Sequence, residues 1–591
     1  MSIIGRYSTL KMLFKLSKDA IRRYGFGYFI STVILEIRNN GFQIFAPQRE
    51  TKISKYSQKD AYEIWLKNTK NTQEKIEQLK KEMNGFTLKP RMTVILCIKN
   101  ETDIDHILES LRLQIYDNFH TVIDCKKELV GVMQTKTEKF RDMDFSFENF
   151  ADSKKIVENS QDVIVSLTKS NILTDDAFFY VVKSLNKDPT IDIVYSDEDE
   201  IDEKQGRINP FFKPDWSHDL FLSQDYVTSF YTIKKQILKE IGGIRDDFKD
   251  AKHYDIILRA TDKKRNIHHI AKVLSSIKKS DTSKDYQSFA KKSLEDTLYR
   301  RDIKGIILDG LVPGTFRIKY TLNGNPKVSI IIPTRDQKEI LKRCIIGVEK
   351  CSYKNFEIIV IDNDSKEKNT IDYLNSLKYR VIKYQEPFNF SKMNNLAVQH
   401  AIGDYLLFLN DDTLPLKEDW LENMLEICQQ KEIGVVGAKL VLSDNTIQHA
   451  GWVYLNTGAG LHPFQRVNSD SKSFNGQINV IRNYSAVTGA CLLIKKNIFD
   501  EIGGFDDDYD LYYGDSDLCF KVIEKGYRVT YTPYALLLHE GSKSIKKHAK
   551  AFFSTENHSH FVEKWPHIKN GDPFYNPNLR LDYRINSDNE I

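Results

Sequence analysis

The sequence is poor in the features that would carry a chain across or out of a membrane. Its seven cysteines are scattered over 591 residues, with no Cys-x-x-Cys pair. An odd, unpatterned set fits a reducing compartment better than a disulfide framework. Met1 is not followed by a short basic region, an apolar run and a small-residue cleavage site, so no secretory signal is expected. The most apolar early stretch, Gly27 to Ile37, has about half of the roughly 20 residues a spanning helix needs. The charge excess is small, 86 basic against 82 acidic residues, which argues against a nucleic-acid binder. No Gly-x-Gly-x-x-Gly opens a helix after a strand, which disfavours a dehydrogenase. Nor is there a basic glycine-rich loop of the kind a nucleotidyltransferase would use. These absences leave a cytoplasmic protein with no membrane span.

The basic excess is local. Residues 1–40 hold seven basic side chains against Asp19 and Glu36. Within Leu10 to Tyr24, Leu13, Leu16, Ala20, Ile21 and Tyr24 fall near helical spacing among Lys11, Lys15, Lys18, Arg22 and Arg23. Such a helix either lies on the anionic inner membrane surface, making the protein peripheral there, or packs on the next domain with its lysines solvated. Residues 1–88 read as a helical extension.

From about Arg91 short apolar runs alternate with helical stretches. The clearest series predicts a strand from Val328, a helix over Ile340 to Val348 and strands at Glu357 to Asp362 and Arg380 to Tyr384. It continues with a helix at Lys392 to Ala401, a strand at Tyr405 to Asn410 and a helix at Glu418 to Gln429. This alternation specifies a mostly parallel α/β sheet, whose ligands gather at the carboxyl ends of the strands. The chain also repeats itself. Ile233 to Gly243 resembles Ile494 to Gly504, Thr121 to Asp124 resembles Ile359 to Asp362, and Asp162 to Leu167 resembles Asp404 to Leu409. The matches keep the same order at similar offsets, so two copies of one α/β unit are expected. We place them at 89–285 and 325–548, followed by a tail, 549–591, packed on the second copy.

Four elements of the second copy carry chemistry. Leu407 to Thr413 is an apolar strand ending in Asn410, Asp411 and Asp412, hard oxygen ligands suited to Mn²⁺ or Mg²⁺, or a polar strand end leading into a helix cap. Tyr513 to Lys521 opens a helix with Asp515 and Asp517, either a general base or simple N-capping. Ile359 to Ser365 ends a strand in Asp362, and Pro333-Thr334-Arg335-Asp336 is a strand-to-loop turn with a cation.

In order and spacing these elements resemble glycosyltransferase family 2, inverting enzymes with the nucleotide-sugar-binding, Rossmann-like fold called GT-A. The resemblance implies two tandem GT-A-type domains after the helical extension. It implies that Pro333, Thr334, Arg335, Asp336, Asp362, Lys392, Asn395 and Asp411 bind the nucleotide sugar. Asn410, Asp412 and His539 would hold the divalent metal, and Asp515 would be the catalytic base. Gly514 departs from the pattern, which often has Glu or Asn there. His449, Trp452, Asp517 and the Gly458 to His462 stretch are candidate acceptor or sugar contacts. Tyr195 to Asp202, Phe211 to Ser217 and Asp572 to Leu579 are similar to a bacterial tandem-domain subgroup that builds O-antigen, capsule or rhamnose-rich wall polysaccharides. The implied partners are a nucleotide-diphosphate sugar and a lipid-linked or polysaccharide acceptor. The implied alternatives are a bifunctional polymerase with both domains active, or a non-catalytic glycan-binding scaffold.

The first copy departs from the pattern. Thr168-Lys169-Ser170 align with Asn410-Asp411-Asp412, and His253 aligns with Asp515, whereas Asp124 is kept opposite Asp362. A working metal motif at Asp197-Glu198-Asp199 is the competing alignment.

Overall fold

The computed structural model describes residues 58–98, 104–149, 157–168, 171–202, 204, 206–228, 230–278, 284–539, 555–580 and 585. The basic segment over Leu10 to Tyr24, with its expected membrane contact, lies outside the described residues. Among the described residues no helix is long and apolar enough to cross a membrane.

In the first copy the strands on the main path of the sheet are β1 (Met92–Ile98), β2 (Phe119–Cys125), β3 (Phe145–Asn149), β4 (Val163–Thr168), β5 (Asn171–Leu173), β6 (Ile193–Asp202), β7 (Tyr231–Lys234) and β8 (Ile267–Lys278). They join in the order β3-β2-β1-β4-β7-β6-β8-β5. The second copy has β9 (Val328–Thr334), β10 (Phe356–Asp362), β11 (Arg380–Lys383), β12 (Tyr405–Leu409), β13 (Thr413–Pro415), β14 (Ile433–Val441), β15 (Cys491–Lys495) and β16 (Arg528–His539). Their order is β11-β10-β9-β12-β15-β14-β16-β13, the same path strand for strand. In both sheets the first four strands on the path pair in parallel, and β7 and β15 run against their neighbours. The internal repeat is therefore two copies of one mixed α/β sheet.

The residues explain the layers. β9 is buried on both faces, as a central parallel strand covered by helices must be. Ile330 and Ile332 pack with Leu341, Trp420 and Met424, while Ile331 packs on the other face with Ile359, Met393 and Leu406. The described part of the tail does more than cover the second copy. Phe561 and Trp565 enter that copy's core, and the Tyr454 amide donates to Asp572 Oδ2 at 2.9 Å. Farther on, Asn576 Nδ2 donates to both oxygens of Asp197 in β6, at 2.9 and 3.0 Å, so the tail ties the two copies together. A second tie is the buried Asp219, whose carboxylate takes Arg528 at 3.2 Å and Thr530 Oγ1 at 2.9 Å.

Candidate active site

The sheet register assembles the site. Thr413 pairs with His539 across β13 and β16, and one residue back Asp412 Oδ1 meets His539 Nε2 at 3.1 Å. Beside them Asp411 accepts from Thr334 Oγ1, at the end of β9, at 2.7 Å. Burial pushes the Asp411 carboxyl up to about 7, although the Thr334 hydrogen bond pulls the other way. The Asn410 side chain has no partner among the described residues. Asn410, Asp412 and His539 offer an amide oxygen, a carboxylate and an imidazole, the donor types a divalent cation takes. A small cleft beside the motif is lined by Ile340, Arg343, Cys344, Asp411, Asp412, Thr413 and Leu414. Arg343, which sequence reasoning missed, brings a cation there.

Asp515 enters from the other side. Tyr513 takes the left-handed conformation, φ 69°, and turns the chain into the helix Gly514–Glu524. A Cβ on Gly514 would stand 2.9 Å from Ser391 Oγ, so the departure at this position is a close approach that a larger residue would have to displace. The Gly489 amide donates to Asp515 Oδ2 at 2.9 Å and the Ser516 amide to Oδ1 at 2.8 Å. Burial pushes the Asp515 carboxyl above the ordinary aspartate range, and those two amides partly offset it. The same short turn serves the Asn410 to Asp412 strand end, because Ala490 C=O accepts from the Asn410 amide at 3.0 Å. It also serves His449, whose Nε2 accepts from Thr488 N at 3.3 Å.

The remaining expected residues divide. Asp362 Oδ1 accepts from the Ser365 amide at 3.0 Å, at the carboxyl end of β10. Pro333 and Arg335 flank Thr334 in the turn, and Arg335 has no partner among the described residues. Lys392 is exposed; its backbone amide takes the Asn389 cap, leaving the ammonium outside. Asp336 is a loop tie, because its Oδ1 accepts from the Lys366 and Glu367 amides, both at 2.8 Å.

Three expectations need correction. Asn395 does not present its amide to a ligand: Nδ2 donates to Phe505 C=O and Asp507 Oδ1, and Oδ1 accepts from the Phe505 amide. Asp517 is not an acceptor contact. It is fully buried, and its carboxylate takes Trp565 Nε1 at 2.9 Å, Lys564 at 2.8 Å and Lys521 at 3.3 Å, which anchors the tail helix. His449 is also fully buried with both ring nitrogens engaged, whereas Trp452 and His462 pack face to tilted face beside it with centroids 3.7 Å apart.

The first copy fills the equivalent space. Asn171 pairs with Ile277 as Thr413 pairs with His539, so Ile277 stands where the second copy has its histidine. The same register sets 168–170 against 410–412; Lys169 and Ser170 lie outside the described residues. Counting back from paired Lys234 and Lys495 sets Thr228 against Gly489. Thr228 Oγ1 takes Lys213 Nζ at 3.1 Å and bonds Glu198, itself 3.1 Å from Lys213. The aligned helices share a buried acid paired four residues on, Asp255 with Arg259 at 2.8 Å and Asp517 with Lys521 at 3.3 Å, which supports setting His253 against Asp515. His253 Nε2 is spent on Asp225 at 2.7 Å. Asp197 to Asp199 is not an open motif. Asp197 is held by His269 and Asn576, and Asp199 by Tyr62 and Arg207.

The second copy is similar to a known family. Residues 329–503 match the model described as Glycosyl transferase family 2. The second copy is a glycosyltransferase family 2 domain. The expected two tandem α/β units are thus present, and the second carries the family match. The chain is 32% identical over 542 residues to "Uncharacterized protein y4gI" of Sinorhizobium fredii, covering 86% of this chain and 59% of that one. It is 31% identical over 437 residues to "O-antigen biosynthesis protein RfbC" of Myxococcus xanthus, covering 71% of this chain and 34% of that one. The chain therefore spans less than two thirds of either relative. The mannosyltransferase PcManGT of Pyrobaculum calidifontis, solved with GDP-Man and Mn²⁺, aligns at 18% identity and a TM-score of 0.29 over 37% of this chain and 58% of that one.

Proposed function

We propose that the chain transfers a sugar from a nucleotide-diphosphate sugar to a growing cell-surface polysaccharide or lipid-linked glycan, with inversion, and that only the family 2 domain is catalytic. The observation that carries this reading is the Thr488 to Ala490 turn, which holds Asp515 through one amide and the Asn410 strand end through the next carbonyl. A base and a strand end with open oxygen ligands are thereby fixed in one frame, as a positioned displacement needs.

The steps follow from the residues. Asp362 and Arg335 hold the nucleotide end of the donor. Asn410, Asp412 and His539 would hold a divalent cation, Mn²⁺ or Mg²⁺, whose charge offsets that of the departing diphosphate. Asp515 accepts the proton of the acceptor hydroxyl, whose oxygen bonds to the anomeric carbon as the bond to the diphosphate breaks. The nucleoside diphosphate leaves with the bonding electron pair, and a single displacement inverts the centre. A carboxyl raised by burial is a stronger base for this proton than an exposed aspartate.

The first copy supports a scaffold or acceptor-docking role. It has Ile277 in place of the histidine and His253 in place of the base, and the Lys213–Glu198 pair occupies the space beside them. The testing experiment incubates the full chain with a panel of nucleotide sugars and Mn²⁺ or Mg²⁺ and scores nucleoside diphosphate release. A binding scaffold would release none.

A further inference from the structure

The mechanism above leaves two histidines unused. His449 Nε2 accepts from the Gly451 amide at 3.2 Å and the Thr488 amide at 3.3 Å. A ring nitrogen that accepts carries no proton, so the proton of neutral His449 is on Nδ1. That Nδ1 lies 2.9 Å from His462 Nδ1, and only one of the two can donate. His449 therefore donates, His462 Nδ1 accepts, and the proton of His462 is fixed on Nε2. Burial holds His449 well below its ordinary range and His462 down at about 3, so both rings are neutral. Trp452 lies tilted over the His462 ring, with centroids 3.7 Å and planes 32° apart, and packs against one of its faces. His462 is half-buried, and its Nε2 has no partner among the described residues.

The place of this chain of bonds matters. Thr488 and Gly489 are consecutive, and their amides hold His449 and Asp515 respectively. The imidazole pair is thus built on the same turn as the base. We propose that His462 Nε2–H donates to a hydroxyl oxygen of the sugar held beside Asp515, with His449 as the positioning residue that sets its tautomer. An uncharged donor at a fixed angle matches a hydroxyl, whereas a diphosphate oxygen is better met by a cation. This rests on reading the second copy as a sugar transferase.

The test compares full-length wild type, His462→Phe and His462→Gln. UDP-glucose, UDP-galactose, UDP-N-acetylglucosamine, GDP-mannose and dTDP-rhamnose are offered with Mn²⁺. For each donor turned over, kcat and KM are measured, together with calorimetric affinity for the matching nucleoside diphosphate alone. His462→Phe keeps a ring on Trp452 but removes the donor, so kcat/KM should fall about 10-fold, the scale of one lost neutral hydrogen bond. Affinity for the nucleoside diphosphate alone should stay within about twofold, and His462→Gln, which restores an N–H, should recover part of the loss. Wild-type kcat/KM in His462→Phe, an equal loss for the nucleoside diphosphate alone, or no recovery in His462→Gln would each overturn the proposal while leaving the transferase reading intact. A wild-type chain that turns over none of the five donors would overturn both.

Discussion

The Gly489 amide donates to Asp515 Oδ2 at 2.9 Å, which binds the proposed base to the turn that also receives the Asn410 amide. Asp515 is half-buried, and its charge is set against desolvation, so its protonation should be visible in kinetics. Burial raises its carboxyl, and the base is active only when ionised. The acid limb of kcat/KM should therefore fall as pH drops through a value above the ordinary aspartate pKa of about 3.9. A limb at or below that value would mean that another group is the base.

Asp412→Ala should weaken both donor affinity and activation by Mn²⁺, because His539 and Asn410 alone offer no carboxylate to a cation. Metal titration of nucleoside diphosphate release in the variant checks this. An unchanged Mn²⁺ response would place the metal elsewhere or remove it from the reaction.

Asp517→Ala should act on stability. Its carboxylate is fully buried against Trp565, Lys564 and Lys521, and removing one partner of a buried pair costs about 3–5 kcal/mol. Urea unfolding measures the loss, and wild-type stability in the variant would contradict the buried anchor.

His269 gives a stability prediction with a definite sign. Burial lowers its pKa, but Asp197 and Asp215 outweigh burial and hold it at about 8, against 6.5 ordinarily. A raised folded-state pKa stabilises fully below the unfolded value and is lost as pH rises through the folded one. About 2 kcal/mol of stability should thus be present below about pH 6.5 and lost above about pH 8. Chemical unfolding of wild type and His269→Gln on both sides of that window isolates the contribution. A difference that does not change with pH would refute it.

Much of this was legible in the sequence, for physical reasons. Val328 to Thr334 and Tyr405 to Leu409 are apolar without alternation because helices cover both faces of the sheet, and that pattern needs no partner to be read. The repeat was legible because both copies solve the same packing problem, from Ile233 to Gly243 and from Ile494 to Gly504. What escaped were side chains whose role is fixed by distant residues. Asn395 reads as a helix-entry ligand until the loop over Phe505 to Asp507 closes on it. Asp197 reads as a metal motif until Asn576, 379 residues away, takes both of its oxygens. Asp517 stands two residues from Asp515 in the same helix turn, and only the tail helix distinguishes the anchor from the proposed base.

The measurement that tests the account most directly is mass-spectrometric product analysis of Asp515→Asn on an acceptor glycan. Loss of a general base typically costs about 10²–10⁴ in rate, and Asp515 serves the only open site proposed here. Asp515→Asn should therefore eliminate every transfer product while the variant still binds the nucleotide sugar. A sugar still added by Asp515→Asn, and lost when His253 of the first copy is also replaced, would show a second active site and contradict the account.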